Sequence, residues 1–396
     1  MRAVVALFLL IAFSGAVQGA LLVPEQYATI EAALAAAAYG DTVSLAEGTY
    51  FEHDLWLPSG VSLIGRTSDP EAVRIDAQGK GRVLEGEDLD DRNLLSYLTI
   101  CNGYLEGWQG TGFRCEGSPH LSHVVIEGNA NIGGSGVGMF CDGNPVIEHC
   151  IFRENRSPAA LGGGLRINGV SGTAGPMMMD VLFVGNEAGY GGGFFINNYP
   201  GYFANLTVIG NMAHGGGGGA YFADDGAWGP ELENSLFANN AARAGGGIVT
   251  DASVTIRNCT IVHNKAELYF AGGLFSESTW DLPSRPNLYD CIVAFNEGGG
   301  IGVYDYPPVT LECCDVYGNP GGNYVYCQPD ITGISGNISL DPLFCESADP
   351  LDYSIHDKSP CAPGNNDCGV LMGAFPVGCE GTATRAMTWT RVKQLY

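Results

Sequence analysis

The sequence predicts an all-β chain wound into a parallel β-helix, one solenoid of short strands. Three observations carry that prediction. Gly supplies 59 of 396 residues and charged residues only 15%, against about a quarter charged in ordinary soluble domains; this suits closely packed β-structure. A short apolar segment closing on Asn recurs at Asn102, Asn129, Asn155, Asn186, Asn211, Asn240, Asn264, Asn296 and Asn319. Between these, Gly112, Gly138, Gly164, Gly193, Gly219, Gly247, Gly273 and Gly300 each precede a strand-like tetrad. The Asn column steps by 23 to 32 residues and the Gly column by 26 to 29. Two markers with one period define a solenoid whose length variation sits in loops. Helical repeats fail because no 3.6-residue period runs through these segments, and a propeller blade needs about 40 residues.

Composition narrows the function classes. Lys and Arg number 18 against 43 Asp and Glu, a net charge of −25, which argues against a nucleic-acid partner. With 45% hydrophobic and 10% aromatic residues, the chain has ample material for a core, and disorder is excluded.

In chain order, residues 1–20 read as an export signal. Arg2 supplies the positive start, Ala3 to Phe13 is apolar but too short to span a bilayer, and small residues follow from Ser14 to Ala20. Thirteen cysteines suit the oxidising setting that export implies, and the odd count leaves at least one outside an intrachain bridge. No later segment is apolar and long enough for a transmembrane helix. Residues 21–60 are assigned to an N-terminal cap and the first strands. Ile30, Leu34, Ala37 and Ala38 share one face of a helix over 28–39, placed to plug the open solenoid end. Residues 61–320 hold the repeats, 321–380 the final irregular coils and a C-terminal cap, and 381–396 a tail with Arg385, Arg391 and Lys393.

Each repeat has two bends. Six residues before each Asn stand Ser96, His123, His149, Asp180, Asn205, Asn234, Asn258, Asp290 and Cys313. Asn and Asp tolerate the left-handed conformation a sharp bend requires. Eight before the Asn the residue is apolar throughout, from Leu94 to Leu311, and faces inward. The Asn column marks the second bend, and its amides are placed to hydrogen-bond from coil to coil.

The tetrads Gly163-Gly164-Leu165-Arg166, Gly192-Gly193-Phe194-Phe195, Gly218-Gly219-Ala220-Tyr221, Gly246-Gly247-Ile248-Val249 and Gly272-Gly273-Leu274-Phe275 resemble the GGAI half of polymorphic outer-membrane protein repeats. Phe152 to Asn155, Phe183 to Asn186 and Phe237 to Asn240 resemble their FxxN half. The stretch from Tyr27 to Tyr50 is similar to the N-terminal cap of pectin-lyase-like proteins. This resemblance implies a right-handed helix. It also implies, as one option, an enzyme of that class, since many members are polysaccharide lyases, hydrolases or esterases.

Strand neighbours alternate faces, which sorts the four residues after each marker Gly. The first and third columns, such as Phe194 and Ile196, face inward. The second contains Arg114, Phe140, Arg166, Phe195, Tyr221, Val249 and Phe275, and its arginines assign it outward. The fourth contains Glu116, Asp142, Asn168, Asn197, Asp251 and Glu277, also outward. Phe140, Arg166, Phe195, Tyr221 and Phe275 beside Asp142, Asp251 and Glu277 are therefore the candidate ligand-binding strip. It is suited to sugar rings along a linear polymer, with Trp108, Trp228 and Trp280 in the flanking loops; the competing reading is that these aromatics stack on one another under the loops. Two carboxylates about 5–10 Å apart would serve a hydrolase, and Asp251 with Glu277, or Asp224 with Asp225, supply candidates. A lyase needs acidic Ca²⁺ ligands and an Arg base, for which Arg166 near Asp142 is the nearest arrangement. Glu85, Glu87, Asp88, Asp90 and Asp91 form an acidic cluster whose spacing is not that of an EF-hand. No zinc-ligand spacing, nucleophile elbow or nucleotide loop is present. No catalytic residue is assigned, no metal site, and no cofactor apart from the option of Ca²⁺.

Neighbouring coils stand about 4.8 Å apart, which makes Cys115–Cys141 a candidate bridge; Cys361–Cys368 would close a turn-rich loop. Cys150, Cys259, Cys291 and Cys314 share one column. The expected function is that of an exported cell-surface or extracellular protein binding glycans or other surfaces. A polysaccharide lyase or hydrolase and a structural envelope component are the alternatives.

Overall fold

The computed structural model describes residues 19–379 except 108, 170–174, 198–199, 224–228, 268–269, 278–283, 306, 346–348 and 350. The export signal up to residue 18, the basic tail, Trp108, Trp228, Trp280 and the Asp224–Asp225 pair lie outside the described residues.

The chain is a right-handed parallel β-helix. One coil shows how the sequence builds it. Strand Ala220–Ala223 lies on one face, and Glu231–Glu233 and Leu236–Ala238 form the next two, meeting at Asn234 with φ +49°. Asn239, φ +55°, makes the following corner, and Ala241–Ala242 leads into the next coil. Every one of these strands pairs in parallel with its counterpart one coil on: Ala220 with Ile248, Glu231 with Thr255, Leu236 with Thr260, Ala241 with Lys265. The face that opens each coil forms an eleven-stranded sheet from Leu55–Trp56 to Tyr324–Tyr326.

The first corner column is left-handed throughout: Tyr97, His123, His149, Asp180, Asn205, Asn234, Asn258, Asp290 and Cys313 all have φ between 46° and 56°. Here the expected register fails at one coil. Tyr97, not Ser96, is the corner, Leu95 rather than Leu94 is the fully buried residue beside it, and Asn102 does not belong to the Asn column. Asn102 is itself the second corner, exposed with φ +57°, and Gly103 takes the column position, its N–H donating to Asn129 Oδ1 at 2.9 Å. Asn serves both as a left-handed corner and as a ladder residue, so its repetition alone does not distinguish the two.

From Asn129 to Asn319 the column is a continuous internal ladder. Asn129 Nδ2 donates to Asn155 Oδ1 at 3.0 Å, and the same bond repeats through Asn186, Asn211, Asn240, Asn264, Asn296 and Asn319 at 2.9–3.0 Å. Each Oδ1 also accepts the backbone N–H of the previous Asn, and each Nδ2 also donates to a carbonyl of the previous coil, as Asn240 does to Val208. With all these bonds made, the desolvation of the buried amide is offset. The marker Gly follows from this ladder. A Cβ on Gly219 would meet Gly247 O at 2.6 Å and Asn240 Nδ2 at 3.1 Å, so the coils close on the ladder only where no side chain intervenes.

The interior is filled by aligned apolar files. Phe152 stacks on Phe183 with centroids 4.9 Å apart, and Phe194, Phe203, Phe222 and Phe237 are fully buried. Burying each such ring contributes about 1.5–3 kcal/mol. The expected inward columns, from Phe113 to Ile301 and from Cys115 to Val303, are buried. At the N-terminal end, the helix Ile30–Ala36 is shorter than expected. Thr29 caps it by accepting from Ala32 N, Glu52 accepts from the N–H groups of Ile30 and Glu31, and the chain leaves helical geometry at Ala37. It buries Ile30, Ala33 and Leu34; Ala38, beyond its end, is exposed.

At the other end, Tyr324–Tyr326 pairs with Ile301–Val303 and Ile338 bridges to Asp315. Tyr324 and Ile331 pack against the main core, and the segment that follows packs on the flank. Ile355, Cys361, Ala362 and Met372 cover an outward apolar patch formed by Val184, Ile209, Leu236, Ala238, Val262, Ile292 and Ala294. Asn258 Nδ2 donates to Leu371 O at 2.9 Å and Ala374 N to Thr260 Oγ1 at 3.0 Å. Disulfides Cys313–Cys368 and Cys345–Cys379 fasten this strap.

Both expected bridges are therefore corrected. Cys361 is a free thiol turned toward Asp315 Oδ2, 3.3 Å away, while Cys368 reaches the corner residue Cys313. Cys115 and Cys141 are register partners as the repeat implies, yet both stay free. Residues stacked in a parallel ladder project side by side at about 4.8 Å, longer than the usual Cβ separation of a bridge. Cys150, Cys259, Cys291 and Cys314 are also buried free thiols.

Candidate functional site

The predicted strip does face out of its sheet, but a second layer covers it. Phe140, Phe195, Tyr221 and Phe275 are only 2–7% exposed. Phe195, Tyr221, Val249 and Phe275 form a small outer core with Ala244 and Ala271, against which Leu161 and Phe270 pack. The covering residues come from the turns that precede each strand. Those turns fold close because their first Gly is left-handed: Gly217 has φ +69°, and a Cβ there would meet Ala220 O at 2.3 Å. Phe195 and Tyr221 stack at 4.9 Å, and the Arg166 guanidinium lies over Phe140 and Phe195 at 5.6 and 5.7 Å. Arg166 also donates to Ser135 Oγ at 2.9 Å and Asn168 Oδ1 at 3.2 Å. Burial draws its pKa below the usual range, opposed by the charge of Asp142. The four aromatics are buried, and Arg166 is half-buried against two of them.

The fourth column retains chemistry. Tyr221 Oη donates to Glu277 Oε2 at 2.8 Å and lies 3.4 Å from Asp251 Oδ2. Burial, then the two carboxylates, push this phenol far above its ordinary range, so it stays a donor at any physiological pH. Asp251 and Glu277 thus converge on one hydroxyl. Asp142 is exposed and stands apart from them. Among the described residues no three His, Cys, Asp or Glu are grouped to hold a metal ion.

Where the outward column changes chemistry, the second layer gives way to a cleft. Toward the N-terminus the column reads Phe140, Arg114, Glu85, Trp56 in register on neighbouring strands. Arg82, Glu85, Glu87, Leu105, Gly107, Gln109 and Arg114 line a cleft of about 690 Å³. Arg114 Nη1 contacts Glu85 Oε1 at 2.7 Å and Glu87 Oε1 at 3.2 Å, and its Nη2 pairs with Glu116. Arg82 pairs with Glu85 and donates to the carbonyls of Gly110 and Gln109 at 2.8 and 2.9 Å. Burial lowers the pKa of Arg82 against the pull of Glu85. Burial also opposes the charge on Arg114, but Glu87, Glu85 and Glu116 together hold its pKa above the ordinary value. Beside Glu85, Trp56 presents its indole 49% exposed.

Three of the five acids in the cluster have side-chain partners within the protein. Glu85 and Glu87 bind arginines, and Asp90 accepts from Tyr39 Oη at 2.6 Å and from Arg92 N at 3.0 Å. Trp56 and Arg82 were missed by sequence reasoning because the coils at Leu55 and Leu84 lack the Gly marker. The signal available was register: 29 residues separate Leu55 from Leu84 and Leu84 from Phe113, one coil each.

Over residues 190–338 the sequence matches the model of a right-handed β-helix region. No curated protein matches the chain. Among solved structures, the PL6 family alginate lyase AlyGC is similar at 14% identity and a TM-score of 0.34, with 91% of this chain and 59% of that chain covered. An arginine-to-alanine mutant of the same lyase gives 14% identity, a TM-score of 0.34, and 94% and 60% coverage. The chain spans about 60% of the length of those structures.

Proposed function

We propose that this is an exported, surface-acting β-helix protein of the GGxx/FxxN repeat type that binds glycans through the cleft at Arg82 and Arg114. The observation that carries the reading is an exposed indole, Trp56, standing in register beside a cleft lined with both donors and acceptors. An exposed aromatic face next to convergent polar groups is what a sugar ring needs: an apolar face to stack, and partners for its hydroxyls. Guanidinium N–H groups donate and carboxylate oxygens accept, and the ion pairs hold both in place before a ligand arrives. An extracellular setting is consistent with the apolar N-terminal run and with the two disulfides on the strap.

A second reading, hydrolysis of a polysaccharide, has one observation in its favour. Asp251 and Glu277 reach the same hydroxyl, which places them near the spacing of a carboxylate pair in glycoside hydrolysis.

A glycan array probed with wild type and Trp56→Ala tests the proposal. Wild type is expected to retain a subset of glycans and Trp56→Ala to lose them by about 30-fold, the loss typical of a central aromatic contact. No retained glycan, or equal retention by the variant, would overturn it.

A further inference from the structure

We infer that the cleft takes an uncharged sugar chain and rejects chains bearing uronate or sulfate groups. This rests on the reading of the cleft as a glycan site and names the class of ligand. Two arginines face the cleft and would, left to themselves, invite an acidic sugar. Neither is free. Arg114 is held by Glu85, Glu87 and Glu116, and Arg82 by Glu85 and two backbone carbonyls. Behind Arg82, Asp54 Oδ1 accepts its backbone N–H at 3.2 Å and adds a further carboxylate. Around the cleft, two guanidinium groups therefore meet four carboxylates.

An incoming anionic group meets arginines whose charge these carboxylates already balance, and it would sit beside the acids as a like charge. The net charge of −25 adds repulsion at longer range. A hydroxyl meets the opposite situation. Glu87 and Glu116 are nearly half exposed, at 46% and 43% of their side chains. A carboxylate has about four lone-pair sites, so each can accept from a sugar hydroxyl while keeping its arginine. From Trp56 to Arg114 is two ladder steps, about 10 Å, which places stacking and hydrogen bonding on different rings of one chain.

The test is calorimetric titration of the full chain with the pentasaccharides of cellulose, mannan, amylose and chitin, and with pentagalacturonate and pentamannuronate, each at 20 and 500 mM NaCl. At least one neutral pentasaccharide is expected to bind, with both uronates at least tenfold weaker at 20 mM NaCl and the gap narrowing at 500 mM. Glu87→Gln, which keeps an acceptor for Arg114 and removes one charge, is expected to improve uronate binding several-fold relative to neutral sugar. A uronate that binds as tightly as the best neutral sugar overturns the charge inference and leaves the glycan site standing. If neither class binds, the glycan reading itself falls, and this inference with it.

Discussion

Replacing Asn240 with Ala removes a side chain from the middle of the ladder. Asn240 Oδ1 accepts from Asn211 N at 2.9 Å and Asn211 Nδ2 at 3.0 Å, while its Nδ2 donates to Val208 O and Asn264 Oδ1 at 2.9 Å each. Four buried hydrogen bonds vanish together. A net value near 1 kcal/mol per bond, with an added penalty for partners left unsatisfied, gives about 4–6 kcal/mol. That is a large part of the 5–15 kcal/mol typical of a whole domain. Asn102→Gly is the matched control: Asn102 is exposed and left-handed, so Gly there is expected to change stability by less than about 0.5 kcal/mol. Urea unfolding followed by circular dichroism reads both, and the slope reports whether the solenoid still unfolds as a unit. A loss under about 1 kcal/mol for Asn240→Ala, or equal losses for both variants, would refute the ladder as a principal source of stability.

Two other perturbations follow from the same geometry. Burial pushes the Asp315 carboxyl up to about 7. The native state then holds a proton that the unfolded chain releases near pH 4, so this group's contribution is present below about pH 4 and is lost as pH rises to 7. Asp315→Asn is expected to gain on wild type by on the order of 4 kcal/mol between pH 4 and pH 8, read by thermal melts across that range; a constant difference would contradict this. Gly219→Ala forces a methyl against Gly247 O at 2.6 Å and is expected to cost about 1–3 kcal/mol, where a harmless substitution would show that the coils are not so closely apposed.

What was legible in the sequence was whatever repeats. The Asn and Gly columns gave the winding, and residues such as Phe194 and Ile196 declared their inward face by alternation. Alternation says which side of a sheet a side chain leaves, but not whether another layer waits there. Phe195 and Tyr221 therefore read as an exposed strip although Ala244, Ala271 and the Gly-rich turns bury them. Asn102 misled because a left-handed corner and a ladder position favour the same residue. The strap was hidden for a different reason: it has no repeat, and its contacts join residues more than a hundred positions apart, as Asn258 and Leu371 do. Trp56 and Arg82 sit in coils without the Gly marker, so the cleft emerged only from register.

The central claim is that equivalent residues stack one coil apart along a single axis. Paired spin labels on one outward column measure this directly, with the exposed thiol Cys327 first replaced by Ser. Glu148, Arg257 and Glu312 occupy the same column, four and six ladder steps apart. Electron–electron distances of about 19 Å for Glu148 to Arg257 and about 29 Å for Glu148 to Glu312 are expected from the strand spacing. A separation that fails to grow with the number of coils between the labels would contradict the winding.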